Sequence, residues 1–200
     1  SSTSRGLGDV YKRQVIGLII LSPFMLIIAA AIKIDDGGSI IYKQKRLTIN
    51  GKEFFVYKFR SMIPNAEKNG VPQLATGSDS RITRVGKFLR KCRLDELPQL
   101  FNIIKGDMSV VGPRPERPEL TEKYEREMPE FKFRLKVKAG LTGYAQVTGV
   151  YDTTPYDKLK MDLMYIERYS MVMDLRIILM TIKTMISPGE MNSEADKEKY

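Results

Sequence analysis

The strongest constraint on this chain is an almost unbroken apolar run over residues 15–32, which Ser22-Pro23 interrupts at its middle. As a straight α-helix the run would be about 27 Å long, just short of the hydrocarbon core of a bilayer. Proline removes a backbone hydrogen bond and clashes with the preceding turn, so the sequence predicts a kink there. The Ser22 hydroxyl can donate to the carbonyl that Pro23 leaves without its helical partner.

Composition alone leaves three interpretations of this run open. Its length and hydropathy favour a single transmembrane anchor. A secretory signal peptide fits less well, because no small-residue cleavage site is clear and the following chain is cysteine-poor. The third interpretation is a re-entrant helix over residues 15–33 that enters and leaves the same leaflet, with its break at Ser22-Pro23. Residues 1–14 show no hydrophobic period and are expected to be a tail, and residues 187–200 a disordered one.

The charge balance and the missing residue types limit the chemistry. The 200 residues include 33 Lys and Arg against 24 Asp and Glu, a net charge of +9, which makes nucleotides, nucleic acid or an anionic membrane natural partners. The chain has no His and a single Cys, which excludes Ser-His-Asp and Cys-His catalysis, His-built zinc sites and an internal disulfide. A bound divalent metal would be held by oxygen atoms, which favours Mg²⁺ or Mn²⁺.

The patterning predicts an α+β fold that is mainly helical with a small sheet. Short strands at 40–42 and 54–57 flank the turn Asn50-Gly51. Apolar residues alternate with Lys and Arg over 131–138, which predicts a further strand. Helices are expected near 81–94, 97–104, 119–128, 154–169 and 175–186, and the last is amphipathic, with Leu175, Ile178, Leu179, Ile182 and Met185 on one face.

The candidate catalytic centre is the pair of adjacent carboxylates Asp95-Glu96, which follows a basic run and precedes a predicted helix. Neighbouring residues on a helix project about 100° apart, so one carboxylate could hold a metal while the other faces a substrate. The nearby helix N-terminus would favour phosphate. The alternative interpretation is that both acids simply cap the helix, as acidic pairs at this position ordinarily do.

Cations before this pair are candidate anion-binding residues. Residues 81–93 carry six cations and no acid, among them Arg81 and Arg90, which suits phosphate or lipid head groups but also an ordinary solvated helix face. Lys58 and Arg60 either clamp an anion or are simple charges at a strand end.

A rigid bend after the pair presents one more arginine. Pro113 and Pro115 flank Arg114, and two prolines stiffen the backbone and aim the guanidinium in a way that suits bidentate phosphate contact. The alternative is a surface loop.

Together and in order, these segments resemble the bacterial sugar transferase family, the monotopic phosphoglycosyl transferases that start glycan assembly on polyprenyl phosphate. No single motif is decisive, but seven in the right order leave little room for chance. The resemblance covers roughly residues 15–186 and implies a catalytic domain over 34–186. It rests on Ser22-Pro23 and on residues 58–62, 79–83, 94–100, 106–115, 140–147 and 162–174.

The resemblance selects among the open alternatives. It implies that the chain dips into one leaflet at Ser22-Pro23, that Asp95 is the nucleophile and that Glu96 is its partner near Mg²⁺. It also implies that Arg114 contacts the nucleotide or its phosphates and that Lys58 lies near the active site. The sequence neighbours Lys91 and Arg93, with Mg²⁺, are expected to keep Asp95 ionised. The expected substrate-binding residues are Lys58, Arg60, Arg81, Arg90, Pro113, Arg114 and Pro115, and the expected metal ligands are Asp95 and Glu96.

The activity that the resemblance implies is transfer of a sugar 1-phosphate from a UDP-sugar to undecaprenyl phosphate, with release of UMP, through a phosphosugar-aspartyl intermediate. This would be the first membrane step of exopolysaccharide, capsule, O-antigen or glycoprotein glycan assembly, at the cytoplasmic face of the bacterial inner membrane. The expected partners are the two substrates, the anionic leaflet and a second copy in a homodimer. Nucleic acid is not expected, because no aromatic platform for bases appears. The alternative function is a membrane-anchored basic binding module without catalysis.

One departure from the family pattern concerns the start of the chain. The family normally has Lys-Arg followed shortly by Asp, well before Ser-Pro, whereas Lys12-Arg13 lies close to Ser22 and no Asp follows before residue 35. Residues 1–14 are therefore expected to replace the native start.

Overall fold

The computed structural model describes residues 2–64, 66, 79–149 and 153–186, of which 2–16, 18 and 186 are described by their backbone alone. The chain divides into two compact units, one of residues 1–43 and 57–104 and the other of residues 44–56 and 105–200. The predicted tail over 187–200 lies outside the described residues.

The elements up to residue 104 confirm both predicted strands and the helices predicted near 81–94 and 97–104. In the turn between the strands, Asn50 and Gly51 take left-handed backbone angles, with φ of 59° and 71°, as an Asn-Gly turn requires. The strands pair as a two-stranded sheet. The elements are α1 (Ser2–Asp36), β1 (Ile41–Leu47), β2 (Glu53–Phe59), α2 (Arg84–Lys91), a 3₁₀ helix (Leu94–Glu96) and α3 (Gln99–Ile104).

Helix α1 continues through Pro23, and the structure shows how this proline is accommodated. The Ser22 hydroxyl donates to the carbonyl of Ile19 at 2.8 Å, and this is the carbonyl that Pro23, four residues on, cannot bond. The predicted role of the serine is therefore confirmed. Within the described residues, no helix combines the length and the apolar character needed to cross a membrane. The re-entrant topology stays a prediction.

The core of the first unit fixes the second half of α1. Ile28 and Ile32 of α1 form a buried cluster with Phe59 of β2 and Leu89 of α2. Helix α2 can form here because Thr83 caps it, its hydroxyl accepting from the backbone N–H of Gly86 at 2.9 Å.

The second unit adds another two-stranded sheet to a helical frame, where the sequence predicted a single small sheet. Strand β3 (Ser109–Val111) pairs in parallel with β4 (Gly140–Thr142), and Ser109 lies opposite Gly140. Val111, Val147, Tyr165 and Ile177 form the buried cluster beside it. The helices are α4 (Pro118–Glu127), a 3₁₀ helix (Pro129–Lys136), α5 (Tyr144–Thr148), α6 (Pro155–Glu167) and α7 (Met171–Ile186).

The prediction of a strand over 131–138 is wrong, because this segment lies largely in the 3₁₀ helix Pro129–Lys136. Its buried residues are Phe131 and Arg134, three positions apart, which is the period of a 3₁₀ helix. Phe133, which the alternation would bury with Phe131, is exposed, and the Lys136 ammonium lies 4.7 Å from its ring centre.

Burial of Arg134 is possible because Asp162 of α6 neutralises it. The Arg134 Nε donates to the Asp162 carboxylate at 2.7 Å, and both side chains are buried. Burial raises the pKa of Asp162, and the charge and hydrogen bond of Arg134 oppose that shift. The 3₁₀ helix is thus tied to α6 by a buried ion pair.

Replacing Asp162 with Asn should lower the free energy of unfolding by about 3–5 kcal/mol, because it leaves a buried guanidinium without a counter-charge. Urea unfolding followed by circular dichroism measures the change. Glu122→Gln is the control, because it removes an exposed pair with Arg126 at 3.9 Å and should cost less than about 0.5 kcal/mol. Equal effects of the two variants would contradict a stabilising buried pair.

Candidate active site

The two adjacent carboxylates lie on a short 3₁₀ turn, Leu94–Glu96. Leu94 and Leu97, on either side of the pair, pack against the buried cluster of the first unit and so anchor the turn. Arg93 has left-handed backbone angles, φ 54° and ψ 21°, and turns the chain from α2 into this 3₁₀ helix. Such a conformation is unfavourable for a residue with a Cβ, by about 1 kcal/mol, and persists where packing holds it.

An ion pair joins this turn to β2. The Lys58 ammonium lies 2.5 Å from a carboxylate oxygen of Glu96, and the two side chains are only 19% and 13% exposed. The pair links residues 38 positions apart in the chain. The structure therefore brings Lys58 to the acidic pair.

Asp95 has a raised pKa, mainly because burial disfavours its charged form. Lys58 and Arg90 lower this pKa, whereas the neighbouring charge of Glu96 raises it. The cations that most favour ionisation thus come from β2 and α2. The sequence neighbours Lys91 and Arg93, which were expected to play this part together with Mg²⁺, are both exposed.

Arg90 is held by Ser61, a residue for which the sequence predicts no role of its own. Its Nε donates to the Ser61 hydroxyl at 2.8 Å, and Ser61 is buried just after β2. Arg90 also lowers the pKa of Asp79, so its charge acts on two carboxylates. The position of Ser61 directly after Lys58-Phe59-Arg60 is the only signal in the sequence that could have pointed to it.

Arg81 binds an acid of its own loop. Its guanidinium donates to Asp79 at 2.9 Å from Nε and 2.6 Å from Nη2, and it lowers the pKa of that carboxyl to about 2. A further bond runs from Nη1 to the carbonyl of Ala66 at 3.2 Å. Its predicted contact with substrate stays a prediction.

Arg60 is also engaged within the protein. Its guanidinium pairs with the Asp36 carboxylate at the end of α1, and its side chain is 7% exposed. Arg60 is one of the expected substrate-binding residues, and no pattern in the sequence pairs it with Asp36.

The Pro113-Arg114-Pro115 bend lies in the second unit, and hydrogen bonds fix all three of its carbonyls. Pro113 accepts from the backbone N–H of Gly140 at 2.9 Å, and Pro115 accepts from Arg46 at 3.1 Å. The buried Arg134 donates to the carbonyl of Arg114 at 3.1 Å. These bonds tie the bend to three other segments of the second unit, and the Arg114 residue is exposed.

Gly112, directly before this bend, packs closely against Gly140. A Cβ on Gly140 would lie 2.2 Å from the backbone nitrogen of Gly112, which no side chain could occupy. The Gly140 position therefore requires glycine.

The carboxylates Asp95 and Glu96 offer oxygen atoms, the ligands that Mg²⁺ prefers. In the part of the chain that the structure describes, no group of three or more acidic, thiol or imidazole side chains is placed to hold a metal ion. A magnesium ion held by this pair would have to take its remaining ligands from water or from substrate oxygens, as Mg²⁺ commonly does.

Comparison with known proteins shows the family of the chain. Residues 6–188 match the family model of bacterial sugar transferases. The chain is 42% identical over 176 residues to the UDP-N-acetylgalactosamine-undecaprenyl-phosphate N-acetylgalactosaminephosphotransferase of Aeromonas hydrophila, covering 86% of this chain and 41% of that protein. It is 43% identical over 172 residues to the UDP-glucose:undecaprenyl-phosphate glucose-1-phosphate transferase of Xanthomonas campestris pv. campestris, covering 84% and 36%.

A shorter relative is matched over nearly its whole length. The exopolysaccharide production protein PSS of Rhizobium leguminosarum bv. phaseoli is 40% identical over 191 residues, which cover 91% of this chain and 94% of that protein. The chain spans about two fifths of the length of the other two relatives.

The pKa of Asp95 should respond in opposite directions to its two charged neighbours. Lys58→Met removes a cation that favours the ionised form and should raise the pKa, whereas Glu96→Gln removes a like charge and should lower it. A ¹³C NMR titration of the aspartate carboxyl carbons in metal-free buffer, assigned with Asp95→Asn, measures both shifts. Lys45→Met, which removes an exposed pair with Glu53, should leave the pKa unchanged. Shifts of the same sign in both site variants would refute this electrostatic description.

Proposed function

The chain belongs to the bacterial sugar transferase family, and from that membership we propose that it transfers a sugar 1-phosphate from a UDP-sugar to undecaprenyl phosphate and releases UMP. The observation that carries the proposal is the partly buried Asp95-Glu96 pair, with Lys58 bound to Glu96 and with Lys58 and Arg90 acting on Asp95. A nucleophile beside cations and shielded from water suits attack on a diphosphate.

In the proposed first step, an Asp95 carboxylate oxygen attacks the phosphorus that carries the sugar. A bond from this oxygen to phosphorus forms, the bond from phosphorus to the bridging oxygen breaks, and its electron pair leaves with UMP. The product is a phosphosugar-aspartyl intermediate, a mixed anhydride. Lys58 and Arg90 lie where they favour the ionised nucleophile, and their charge would also stabilise the negative charge that develops on UMP.

In the proposed second step, a phosphate oxygen of undecaprenyl phosphate attacks the same phosphorus. The anhydride bond to Asp95 breaks, and its electrons return to the carboxylate, so the enzyme is regenerated without a net proton change. A carboxylate nucleophile thus divides one difficult displacement into two easier ones.

The proposed cofactor is Mg²⁺, held by Asp95 and Glu96. When bound, the ion would neutralise negative charge on the diphosphate. Oε1 of Glu96 also accepts a hydrogen bond from the Lys58 ammonium. Arg114 is proposed to contact the phosphates of the nucleotide, since the planar fork of arginine matches them bidentately.

A lipid substrate requires access to a membrane. We propose that the chain binds an anionic leaflet at the cytoplasmic face of the inner membrane. An exposed apolar surface on α7 supports this binding. Leu175 and Leu179 of α7 are each 58% exposed, and Val172 and Ile182 are also exposed. These four residues recur at helical spacing and form an apolar surface on α7. Together with the net charge of +9, such a surface favours insertion between anionic head groups.

Binding to the leaflet predicts that Leu175→Glu/Leu179→Glu weakens association with vesicles of anionic phospholipid in a flotation assay, because two charges would enter the acyl boundary. Glu122→Gln on α4 serves as the control and should float as the parent does. Unchanged flotation of the double variant would contradict a membrane contact through α7.

The central test of the function uses radiolabelled UDP-sugars with Mg²⁺. Without a lipid acceptor, the parent should release UMP and retain label on the protein, and undecaprenyl phosphate should then remove that label. Asp95→Asn keeps the shape but lacks the nucleophile, so both label and UMP release should fall by several orders of magnitude. Glu96→Gln should slow the reaction while Asp95 can still be labelled.

Two results would contradict this function. Turnover of Asp95→Asn at a rate comparable to the parent, or label on another residue, would favour direct attack of the lipid phosphate on the UDP-sugar. If the parent releases no UMP from any UDP-sugar, the chain is better described as a basic binding module without catalysis.

A further inference from the structure

We infer that Arg60 is a positioning residue, whose ion pair with Asp36 holds the end of α1 on β2 and thereby keeps Lys58 in place on Glu96. The inference deepens the proposed function and rests on it for its kinetic test. It replaces the expectation that Arg60 contacts the substrate.

The guanidinium of Arg60 is occupied by the C-terminal end of α1. Its Nη1 donates to Asp36 Oδ2 at 2.6 Å, its Nη2 donates to Asp36 Oδ1, and its Nε donates to the carbonyl of Ser39. This is a bidentate arrangement, which is the strongest geometry for an arginine and a carboxylate. Because the side chain is 7% exposed, a diphosphate could reach the guanidinium only by displacing Asp36.

The chain after α1 is shaped around this guanidinium. A Cβ on Gly38 would lie 2.7 Å from Arg60 Cζ, so this position has room for glycine alone while the pair is intact. The backbone N–H of Arg60 donates to the carbonyl of Ile40 at 2.9 Å. The segment that leaves α1 thus encloses Arg60 with backbone and side-chain contacts.

The preceding carboxylate ties α1 to a second element of the site. Asp35 Oδ2 accepts from the backbone N–H of Val85 at 3.2 Å, in the first turn of α2. The last two residues of α1 therefore bind the two elements that supply the cations of the site, β2 with Lys58 and α2 with Arg90.

Three nearby residues at the end of β2 each bind a different element. Lys58 binds Glu96, Arg60 binds Asp36, and Ser61 accepts from Arg90. If the Arg60–Asp36 pair is lost, a buried charge is left uncompensated, and the end of β2 must shift to hydrate it. Lys58 and Ser61 would move with it, although neither has been changed.

The kinetic test compares Asp36→Asn, Arg60→Gln and the double variant with Lys45→Gln, whose exposed partner is Glu53. Each single variant should lower kcat for UMP release by about tenfold or more, because misplacing a catalytic group by about 1 Å is that costly. KM for the UDP-sugar should stay within about threefold of the parent, since no substrate contact is removed. The double variant should be no slower than the slower single variant, and Lys45→Gln should match the parent.

Direct substrate binding by Arg60 predicts a different pattern. Asp36→Asn would then free the guanidinium for the diphosphate, so kcat would be kept and KM would fall or stay unchanged, while Arg60→Gln would raise KM at unchanged kcat. Either result would overturn the positioning role.

A measurement without substrate separates failure of this inference from failure of the proposed function. Spin labels on Cys92 and on Ala30→Cys, an exposed position of α1, report the distance between α1 and the end of α2. The distance distribution should broaden in Asp36→Asn and in Gly38→Ala, which displaces the guanidinium while keeping both charges, but not in Lys45→Gln. Unchanged distance distributions in both Asp36→Asn and Gly38→Ala would overturn the inference. A parent that releases no UMP would instead count against the proposed function alone.

Discussion

The candidate site depends on the ion pair between Lys58 and Glu96, because this pair joins β2 to the turn that carries both carboxylates. It is largely withdrawn from solvent, so its attraction is stronger than that of an exposed pair, and loss of either partner would leave a charge in a poorly solvated place. The same ammonium lowers the pKa of Asp95, whereas burial raises it. One lysine therefore ties the turn to β2 and favours the ionised form of the proposed nucleophile.

The arginines illustrate why net charge is a poor guide to the charge that a ligand meets. Arg60, Arg81 and Arg134 each bind a carboxylate of the chain itself. The pair of Arg60 holds the end of α1, the pair of Arg81 lies within its own loop, and the pair of Arg134 ties the 3₁₀ helix Pro129–Lys136 to α6. Arg90, by contrast, is held through a neutral serine, so its charge still acts on Asp95. Identifying partners in this way separates structural cations from those that can act on a phosphate.

Local signals predicted well those elements whose residues settle their own conformation. Asn50-Gly51 favours left-handed angles through its own residue types. Thr154 before Pro155 likewise caps α6 locally, its hydroxyl accepting from the N–H of Asp157 at 3.1 Å. The segment 131–138 could not be predicted in this way, because its period of burial is set by Asp162, which lies 28 residues from Arg134. Its alternation of charge and apolar residues is real, but the charge of Arg134 is buried.

The candidate site could likewise be predicted only in part, because some of its contacts join residues that lie far apart in the chain. The spacing of Asp95-Glu96 and the order of the motifs indicated the centre and its family, but the pairing of acids with arginines depends on contacts across the fold. Asp36 lies 24 positions from Arg60, and no local pattern connects them. The sequence equally could not tell that Lys58 of β2 and Arg90 of α2 lie where their charge favours the ionised form of Asp95.

The stereochemistry at the transferred phosphorus tests the proposed two-step mechanism most directly. A UDP-sugar with sulfur replacing one non-bridging oxygen on the sugar-linked phosphorus makes that atom chiral, and its configuration can be compared in the substrate and in the lipid product. Attack by Asp95 followed by attack of the lipid phosphate inverts the centre twice, so the account predicts net retention. Net inversion would mean a single displacement and would contradict a covalent intermediate on Asp95.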